Sequence, residues 1–418
     1  MPTDRARPPA VAEHAAPTPA TDSRILRILI ASSISSKVAD WQLGIVVPLA
    51  VLKQTDSVAM SLISFSLRGI TYIWSPFLGA LIDRFDRRAV FALAQVQQAV
   101  CLALLAVSLN SQVSVALLVL LSGFGGVASN ITGQFVLIPK LISAPARPAA
   151  VAKLNSAIEF SKVGGLLIGG AAFSALGPAS ASLCIAALYS GAALLALLLP
   201  RVPASYQKMS IRRDVAMGFR WAVKPEIIWL VVTMSMTNLA IGQLEPVLVT
   251  EFGQQGINAK VISGVMAIGL FAGAVASRMA PRILPAWSPE RRILACQVTA
   301  LAGLVLVATP ALPTKLTGYV FECLAVAVSN VASITYRQET IPVEVAGRAN
   351  ATIRMFITGA VPLSGFLFAG ASRLDGYLRW LPALGIWTVA VVIWAVYTRH
   401  SERLPAVDAL EGAGVGDR

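Results

Sequence analysis

Charged residues are scarce in this sequence. They make up 13% of its 418 positions, whereas soluble domains carry roughly 25%. Hydrophobic residues make up 56% of the chain, and the mean hydropathy is +0.71. A chain this apolar cannot hide its hydrophobic surface in one soluble core, so we expect lipid to surround most of it.

Histidine is nearly absent, and cysteine is rare. The two histidines, His14 and His400, fall in polar stretches near the chain ends, so neither is placed at membrane depth to relay protons or ligate a metal. Each cysteine lies in an apolar run, and no two form a C-x-x-C motif. This predicts small hydrophobic side chains, with neither a disulfide framework nor a zinc site. The cysteines are Cys101, Cys184, Cys296 and Cys323.

Enzyme signatures are missing as well. The sequence contains no Walker loop of the Gly-Lys-Ser/Thr type and no Ser-His-Asp set. We therefore expect neither an enzyme nor ATP-driven transport on this chain, and we expect no cofactor and no bound metal.

What the sequence does contain is a series of apolar segments near the roughly 20 residues that a membrane span requires. We place twelve, which predicts an all-α polytopic membrane protein. The predicted spans are 26–52, 58–82, 89–109, 113–138, 151–175, 179–199, 227–250, 258–280, 292–310, 316–336, 348–371 and 378–398.

Lysine and arginine are distributed unevenly between the two sides of these spans. Of the 34, 25 fall on the side that holds the N-terminus, five on the other side and four inside spans. Cytoplasmic loops are enriched in these residues, so we expect a plasma (inner) membrane protein with both termini in the cytoplasm. Their short clusters between apolar runs account for the net charge of +13 without a nucleic-acid partner.

The spans divide into two halves of six. We expect disordered cytoplasmic tails at 1–25 and 401–418, six-helix bundles at 26–200 and 227–400, and an amphipathic cytoplasmic linker at 201–226.

The two halves also echo one another in sequence. Gly169-Gly170 is followed 195 residues later by Ser364-Gly365. Repeats of six spans insert in the same orientation. They are therefore related by an axis along the membrane normal, with a substrate site between them near the midplane.

The loop after the second span carries a recognisable motif. Residues 79–88 read GALIDRFDRR. This resembles the signature G-x-L-x-D-R-x-G-R-R of the major facilitator superfamily, with Asp86 in place of the usual glycine. The resemblance covers residues 25–400 and implies the superfamily's fold of two pseudo-symmetric six-helix bundles. Ala39-Asp40-Trp41 and residues 342–350 are similar to the branch that includes enterobactin-type siderophore exporters and drug-efflux proteins.

The resemblance implies that this loop acts as a gating latch. Asp83 is expected against the start of span eleven, where a carboxylate meets the positive end of a helix dipole. Gly79, Arg84 and Arg88 belong to the same latch, and its arginines can pair with carboxylates or lipid headgroups. In the alternative interpretation, Arg87 and Arg88 only fix topology.

Ionisable residues inside spans cost a few kcal/mol or more, so each is a functional candidate. Asp40 is our first candidate for proton coupling, which needs a carboxylate whose pKa changes between dry and hydrated surroundings. Asp40 can also simply pair with Lys37, three residues away, or with Arg68. Glu245 is the second candidate, because the adjacent Pro246 can open the helix backbone near it.

Three further ionisable residues in spans complete this set of candidates. Glu322 is the third candidate for proton coupling. Glu159 and Arg354 lie at equivalent positions of the two halves, 195 residues apart. Two interpretations remain open for them: a state-dependent ion pair across the central cavity, or snorkelling of both side chains near the cytoplasmic helix ends.

Polar and aromatic groups in the spans are candidates for contact with the solute. Asn130 and Gln134 suit hydrogen bonding to an oxygen-rich solute, and Trp41 suits an aromatic wall. Packing between helices is the alternative role for each.

These observations favour a secondary transporter of a small organic solute that works by alternating access with proton antiport, and the resemblance implies that it works as an exporter. The polar cavity candidates and an aromatic content of only 7% favour a siderophore over an amphipathic drug. Multidrug efflux, ferroportin-like export of divalent metal and a non-transporting receptor or scaffold remain as alternatives. The expected partners are the solute, protons and the lipid bilayer, and we expect a monomer.

Overall fold

The computed structural model describes residues 19–82, 84–143, 146–203, 211–283 and 286–401, and the regular structure within those ranges is helical. Backbone groups in lipid must find their hydrogen bonds within the protein, which an α-helix achieves along its own length. Nine helices of the described ranges are long and apolar enough to cross a membrane.

The first half of the chain contains seven α-helices in its described part. They are α1 (Pro19–Thr55), α2 (Val58–Ile70), α3 (Ser75–Ile82), α4 (Arg87–Val107), α5 (Gln112–Ile131), α6 (Ile138–Leu141) and α7 (Arg147–Leu197). A 3-10 turn over Thr71–Trp74 joins α2 to α3, and a π-helix over Thr132–Leu137 joins α5 to α6.

The second half contains nine α-helices in its described part. They are α8 (Ile211–Ala222), α9 (Pro225–Ile241), α10 (Leu244–Gln254), α11 (Ala259–Met279), α12 (Pro289–Val307), α13 (Leu312–Thr340), α14 (Val343–Gly359), α15 (Val361–Ala371) and α16 (Leu381–Ser401). The first of these, α8, lies in the predicted linker. Its Phe219 ring packs edge-on against Phe356 of α14, with 5.4 Å between ring centroids.

Together these helices form twelve membrane crossings. The long helix α7 is broken at Gly177, whose φ of 77° lies in the left-handed region, so it supplies two crossings. The second crossing is made of α2, the 3-10 turn and α3. The ninth is α12, which has 19 residues and carries charges in its first turn. The predicted helical fold with two bundles is therefore confirmed.

Crossings seven and eleven are each interrupted, and the two interruptions touch. Between α9 and α10 the helix breaks at Gly242, and a Cβ there would lie 2.8 Å from the Cα of Val361, where α15 begins. The sequence pointed to Pro246 as the residue that opens this helix. Pro246 instead lies in the first turn of α10, where a missing N–H costs nothing.

The two bundles share an apolar core at one end of the molecule, which we call the far end: the end where α1 finishes and α2 begins. Ile45 and Leu49 of α1 are buried in the same cluster as Leu248 and Phe252 of α10. The hydroxyls of Ser61 and Thr250 lie 3.2 Å apart across this contact. The structure is therefore closed between the bundles at the far end.

Two glycine–serine contacts bring the bundles together toward the far end, and they are related by the internal repeat. Gly170 of α7 lies against Ser263 of α11, and Gly365 of α15 lies against Ser66 of α2. The glycines are 195 residues apart, and the serines are 197 apart. Small residues allow this close approach of helix backbones in lipid. The same contact is thus made twice around the repeat axis.

We predict that Gly170→Ala opens the far end. The new Cβ would lie 2.6 Å from the carbonyl oxygen of Ala259, a backbone atom that cannot rotate away. Overpacking costs about 1–3 kcal/mol, so a cysteine introduced at the buried Ser61 should react with a thiol reagent roughly tenfold faster. Gly164→Ala is the control in the same helix, because nothing lies within 4 Å of its Cβ. Equal labelling rates in both variants would contradict this closure.

Candidate functional site

Asp40 lies at the centre of a polar network inside the first bundle. Its carboxylate accepts a hydrogen bond from Lys37 Nζ at 2.9 Å and another from the Tyr189 hydroxyl at 2.6 Å. Arg68 completes the set with an ion pair to the same carboxylate. Three helices, α1, α2 and α7, therefore meet through one carboxylate, and both pairings that the spacing allows for Asp40 are present.

The guanidinium of Arg68 is bound on every side. It donates to Ser122 Oγ at 2.7 Å, to Gln98 Oε1 at 2.9 Å and to Tyr189 Oη at 3.0 Å, besides its ion pair with Asp40. A buried arginine needs this many acceptors to offset its lost hydration. The contacts of Arg68 thus tie α2 to α1, α4, α5 and α7.

A second set of charges lies along the seam, by which we mean the surface where the two bundles face each other. Lys162 of α7 pairs with Glu159 at 2.7 Å and stands 5.6 Å from the centroid of the Trp41 ring. It also attracts Glu245, which belongs to the second bundle. Lys162 therefore connects the charges of the two bundles.

Glu245 and Glu322 form the acidic part of this set. The break at Gly242 places Glu245 in the first turn of α10, where the helix dipole favours a negative charge. Glu322 of α13 is buried beside Tyr319 and lies within electrostatic range of Glu245. Two carboxylates of the second bundle thus lie within electrostatic range of each other, and Lys162 lies within range of Glu245.

Asn130 lines a small cavity inside the first bundle. Its Nδ2 donates to the Tyr72 hydroxyl at 3.2 Å, and its Oδ1 is buried without a hydrogen-bond partner. Arg354 is exposed on α14. The side chain of Gln134 lies outside the described residues.

The signature loop is described only in part. Asp83 lies outside the described residues, so its role as a latch stays a prediction. Gly79 has open space around it, and Arg84 is exposed. Arg88 is half-buried, and its backbone N–H donates to Asp86 at 3.0 Å.

Two residues of this loop do more than fix topology. Asp86, which replaces the usual glycine of the motif, caps α4 and also accepts from the Val202 N–H at 3.1 Å. Arg87 is buried and donates to the Pro203 carbonyl. The interpretation of Arg87 as a topology signal alone was wrong, since it anchors the start of the linker to the first bundle.

The structure also reveals functional groups that the sequence did not single out. Tyr189 and Gln98 complete the Asp40 network, but each is an ordinary polar residue in an apolar run and gives no pattern signal. Lys315 falls between the predicted spans 292–310 and 316–336, where we expect a loop. It is nevertheless buried, pairs with Glu251 at 2.9 Å and lies 5.2 Å from the centroid of the Trp380 ring. Among the described residues, no three His, Cys, Asp or Glu side chains gather in a group that could hold a metal ion.

Comparisons with known proteins point to one family. A model of the Major Facilitator Superfamily matches residues 29–365. No curated protein sequence matches the chain.

Solved structures with the same fold are transporters of different solutes. The nucleoside transporter NupG superposes with a TM-score of 0.70 at 14% identity, covering 89% of this chain and 98% of that one. A bacterial homologue of the iron transporter ferroportin gives 0.71 at 16%, covering 90% and 98%. The human organic anion transporter MFSD10 gives 0.63 at 16%, covering 89% and 99%. At these identities the similarity shows the fold alone.

We predict that Asp40→Asn strongly destabilises the protein. The change leaves the cations Lys37 and Arg68 buried without their counter-ion, and breaking a buried pair costs about 3–5 kcal/mol. Denaturant unfolding of the purified protein in detergent should show this loss. Glu159→Gln is the control, because the Glu159 side chain is 45% exposed in its pair with Lys162 and such pairs contribute little. A variant at Asp40 as stable as this control would refute the structural role.

Proposed function

Since the chain belongs to the Major Facilitator Superfamily, we propose that it is a proton-coupled secondary transporter that exports a small organic solute by alternating access. The observation that carries the proposal is that the second bundle holds two carboxylates inside its spans, Glu245 in the first turn of α10 and the buried Glu322 of α13, within electrostatic range of each other. At the seam, Glu159 and Glu245 share the cation Lys162, and Glu322 adds a third negative charge near Glu245. In a medium of low dielectric constant this surplus of negative charge favours binding of protons.

The Asp40 network supports assigning the proton to the second bundle. Asp40 already has two cations and a hydroxyl as partners, so protonating it would cost the energy of those contacts. Glu245 and Glu322 repel each other and gain when one of them takes a proton. Glu245 and Glu322, rather than Asp40, are therefore the residues proposed to bind the coupled proton.

Alternating access gives the pair its role in transport. The described state is closed at the far end, through neutral glycine–serine contacts and an apolar core. Movement of the second bundle against the first would change the distance between Lys162 and Glu245, because they lie on α7 and α10. A carboxylate that loses its cation binds a proton more readily, so this movement couples proton binding to the state of the transporter.

We further propose that the solute is a siderophore and that the protein works in the inner membrane with both termini in the cytoplasm. The resemblance of the sequence to siderophore exporters and the polar groups near the seam favour this solute over an amphipathic drug. The distribution of lysine and arginine favours this orientation.

Proton coupling is tested with the full-length protein in liposomes that contain a pH-sensitive dye. A panel of catecholate, hydroxamate and hydroxycarboxylate siderophores is added under an imposed pH gradient. We expect solute-dependent proton flux with the natural protein. In Glu245→Gln and Glu322→Gln it should fall to the level of empty liposomes, because a glutamine cannot bind the proton.

The control for that experiment is Glu226→Gln. Glu226 is exposed in the first turn of α9, and its recorded hydrogen bond to Tyr336 uses the backbone carbonyl. If solute-dependent proton flux persists in both glutamine variants at the rate of this control, Glu245 and Glu322 do not bind the coupled proton.

Siderophore export has its own test in the cell. Deleting the gene should lower the extracellular siderophore while total synthesis stays the same, because a solute without its exporter is retained. Secretion at the natural rate in the deletion strain, with no second exporter induced, would eliminate this solute.

A further inference from the structure

A cavity inside the first bundle, apart from the acidic pair, has the properties of a binding site. It measures about 10 Å³ and lies between α1, α4, α5, the π-helix and α7. Its polar lining consists of Ser33, Ser36, Lys37, Gln95, Ser129 and Asn130. The adjoining π-helix, Thr132–Leu137, is a backbone irregularity of a kind that is frequent at functional sites.

A chain of amide groups points hydrogen-bond donors into this cavity. Arg68 donates to Gln98 Oε1 at 2.9 Å, and Gln98 Nε2 donates to Gln95 Oε1 at 3.4 Å. These bonds fix the orientation of both amides, so that Gln95 presents its Nε2 to the cavity. Gln95 is fully buried and this Nε2 has no partner. The positive charge of Arg68 is thereby extended through two aligned dipoles to the cavity wall.

The charge around the cavity is not balanced. The charged groups that interact with one another there are Lys37, Asp40 and Arg68, which amount to two cations and one anion. The neighbouring hydroxyls belong to Tyr72, which contacts Asn130, and to Tyr189, which donates to Asp40. A buried surplus of one positive charge is costly unless an anion offsets it. Lys37 uses one recorded hydrogen bond, to Asp40 Oδ2, and its ammonium has three donors.

We propose that this cavity binds the carboxylate of a hydroxy- or aminocarboxylate solute. One carboxylate oxygen accepts from Lys37 Nζ and Gln95 Nε2, and this neutralises the surplus charge. The unpartnered Oδ1 of Asn130 needs a donor, which the adjacent hydroxyl or amine of such a solute supplies. The cavity is small, so only this end group of the solute enters it. The inference rests on the proposed transport function, since the ligand is then the cargo.

The test measures the thermal unfolding midpoint of the full-length protein in detergent with glycolate, the smallest hydroxycarboxylate. Glycolamide is the neutral analogue of the same shape, and sodium chloride matches the ionic strength. We expect glycolate to raise the midpoint in a saturable way and glycolamide not to do so. Acetate, which lacks the hydroxyl, should bind more weakly than glycolate.

Three variants assign the effect to this cavity. Lys37→Gln should weaken glycolate binding roughly 10- to 100-fold, the range for loss of a charge-assisted hydrogen bond. It should still fold, because Arg68 remains as counter-ion of Asp40. Gln95→Leu should also weaken binding, and Asn130→Leu should remove the difference between glycolate and acetate. Lys53→Gln is the matched control, because Lys53 is exposed in the last turn of α1, the helix that also carries Lys37, and its loss should leave binding unchanged.

The outcomes separate this inference from the proposed function. Equal stabilisation by glycolamide or chloride, or a glycolate response that survives in Lys37→Gln, would overturn the carboxylate site and leave a bound water as its occupant. If that happened while proton-coupled flux persisted, the transport proposal would stand alone. If glycolate bound as expected while no solute gave coupled flux, the cavity would stand and the transport proposal would fail.

Discussion

The cost of placing charge in a medium of low dielectric constant governs this structure. The membrane-spanning helices carry several ionisable groups, and most of them have a partner within 3 Å on the same or a neighbouring helix. Such pairs contribute little net stability compared with apolar residues of the same size. Their value is that they fix which helices meet. The network around Asp40 joins α1, α2, α4, α5 and α7 of the first bundle.

On the proposed mechanism the contacts between the bundles must be able to separate, and the contacts toward the far end are suited to this. Gly170 with Ser263 and Gly365 with Ser66 involve no charge, and the surrounding core is apolar. Lipid is as apolar as these side chains, so separating them costs mainly packing energy and no desolvation of ions. The close ion pairs therefore lie within bundles, and uncharged contacts join the bundles toward the far end, where the proposed mechanism requires contacts to break. The same contact is repeated around the pseudo-two-fold axis, so the closure is shared by two helix pairs, α7 with α11 and α15 with α2.

Much of the fold could be predicted from the sequence, because the bilayer imposes a simple rule on segment length and composition. The twelve crossings and the two halves followed from apolar runs and the repeat offset, and the pairing of Asp40 with Lys37 followed from helix periodicity. Arg68 was a second partner that the sequence left open for Asp40. Arg87, Lys315 and Tyr189 did not, because their roles depend on partners more than 60 residues away in the chain. The orientation of the Gln95 amide is also invisible in sequence, since it is set by Gln98 and ultimately by Arg68.

The cavity of the first bundle and the seam have opposite charge imbalances, and on the proposed mechanism this has a consequence for how transport is driven. The first bundle holds a surplus cation beside its cavity, and the seam holds a surplus of carboxylates around Lys162. On the proposed mechanism, the cargo and the proton are the missing counter-ions. A ligand shifts a conformational equilibrium only through its different affinity for the two states. The closure at the far end is made by uncharged groups, so the free energy of that contact does not depend on pH. The dependence on protons and cargo must therefore arise at the charged groups, and above all at Lys162, which lies on one bundle and attracts a carboxylate of the other.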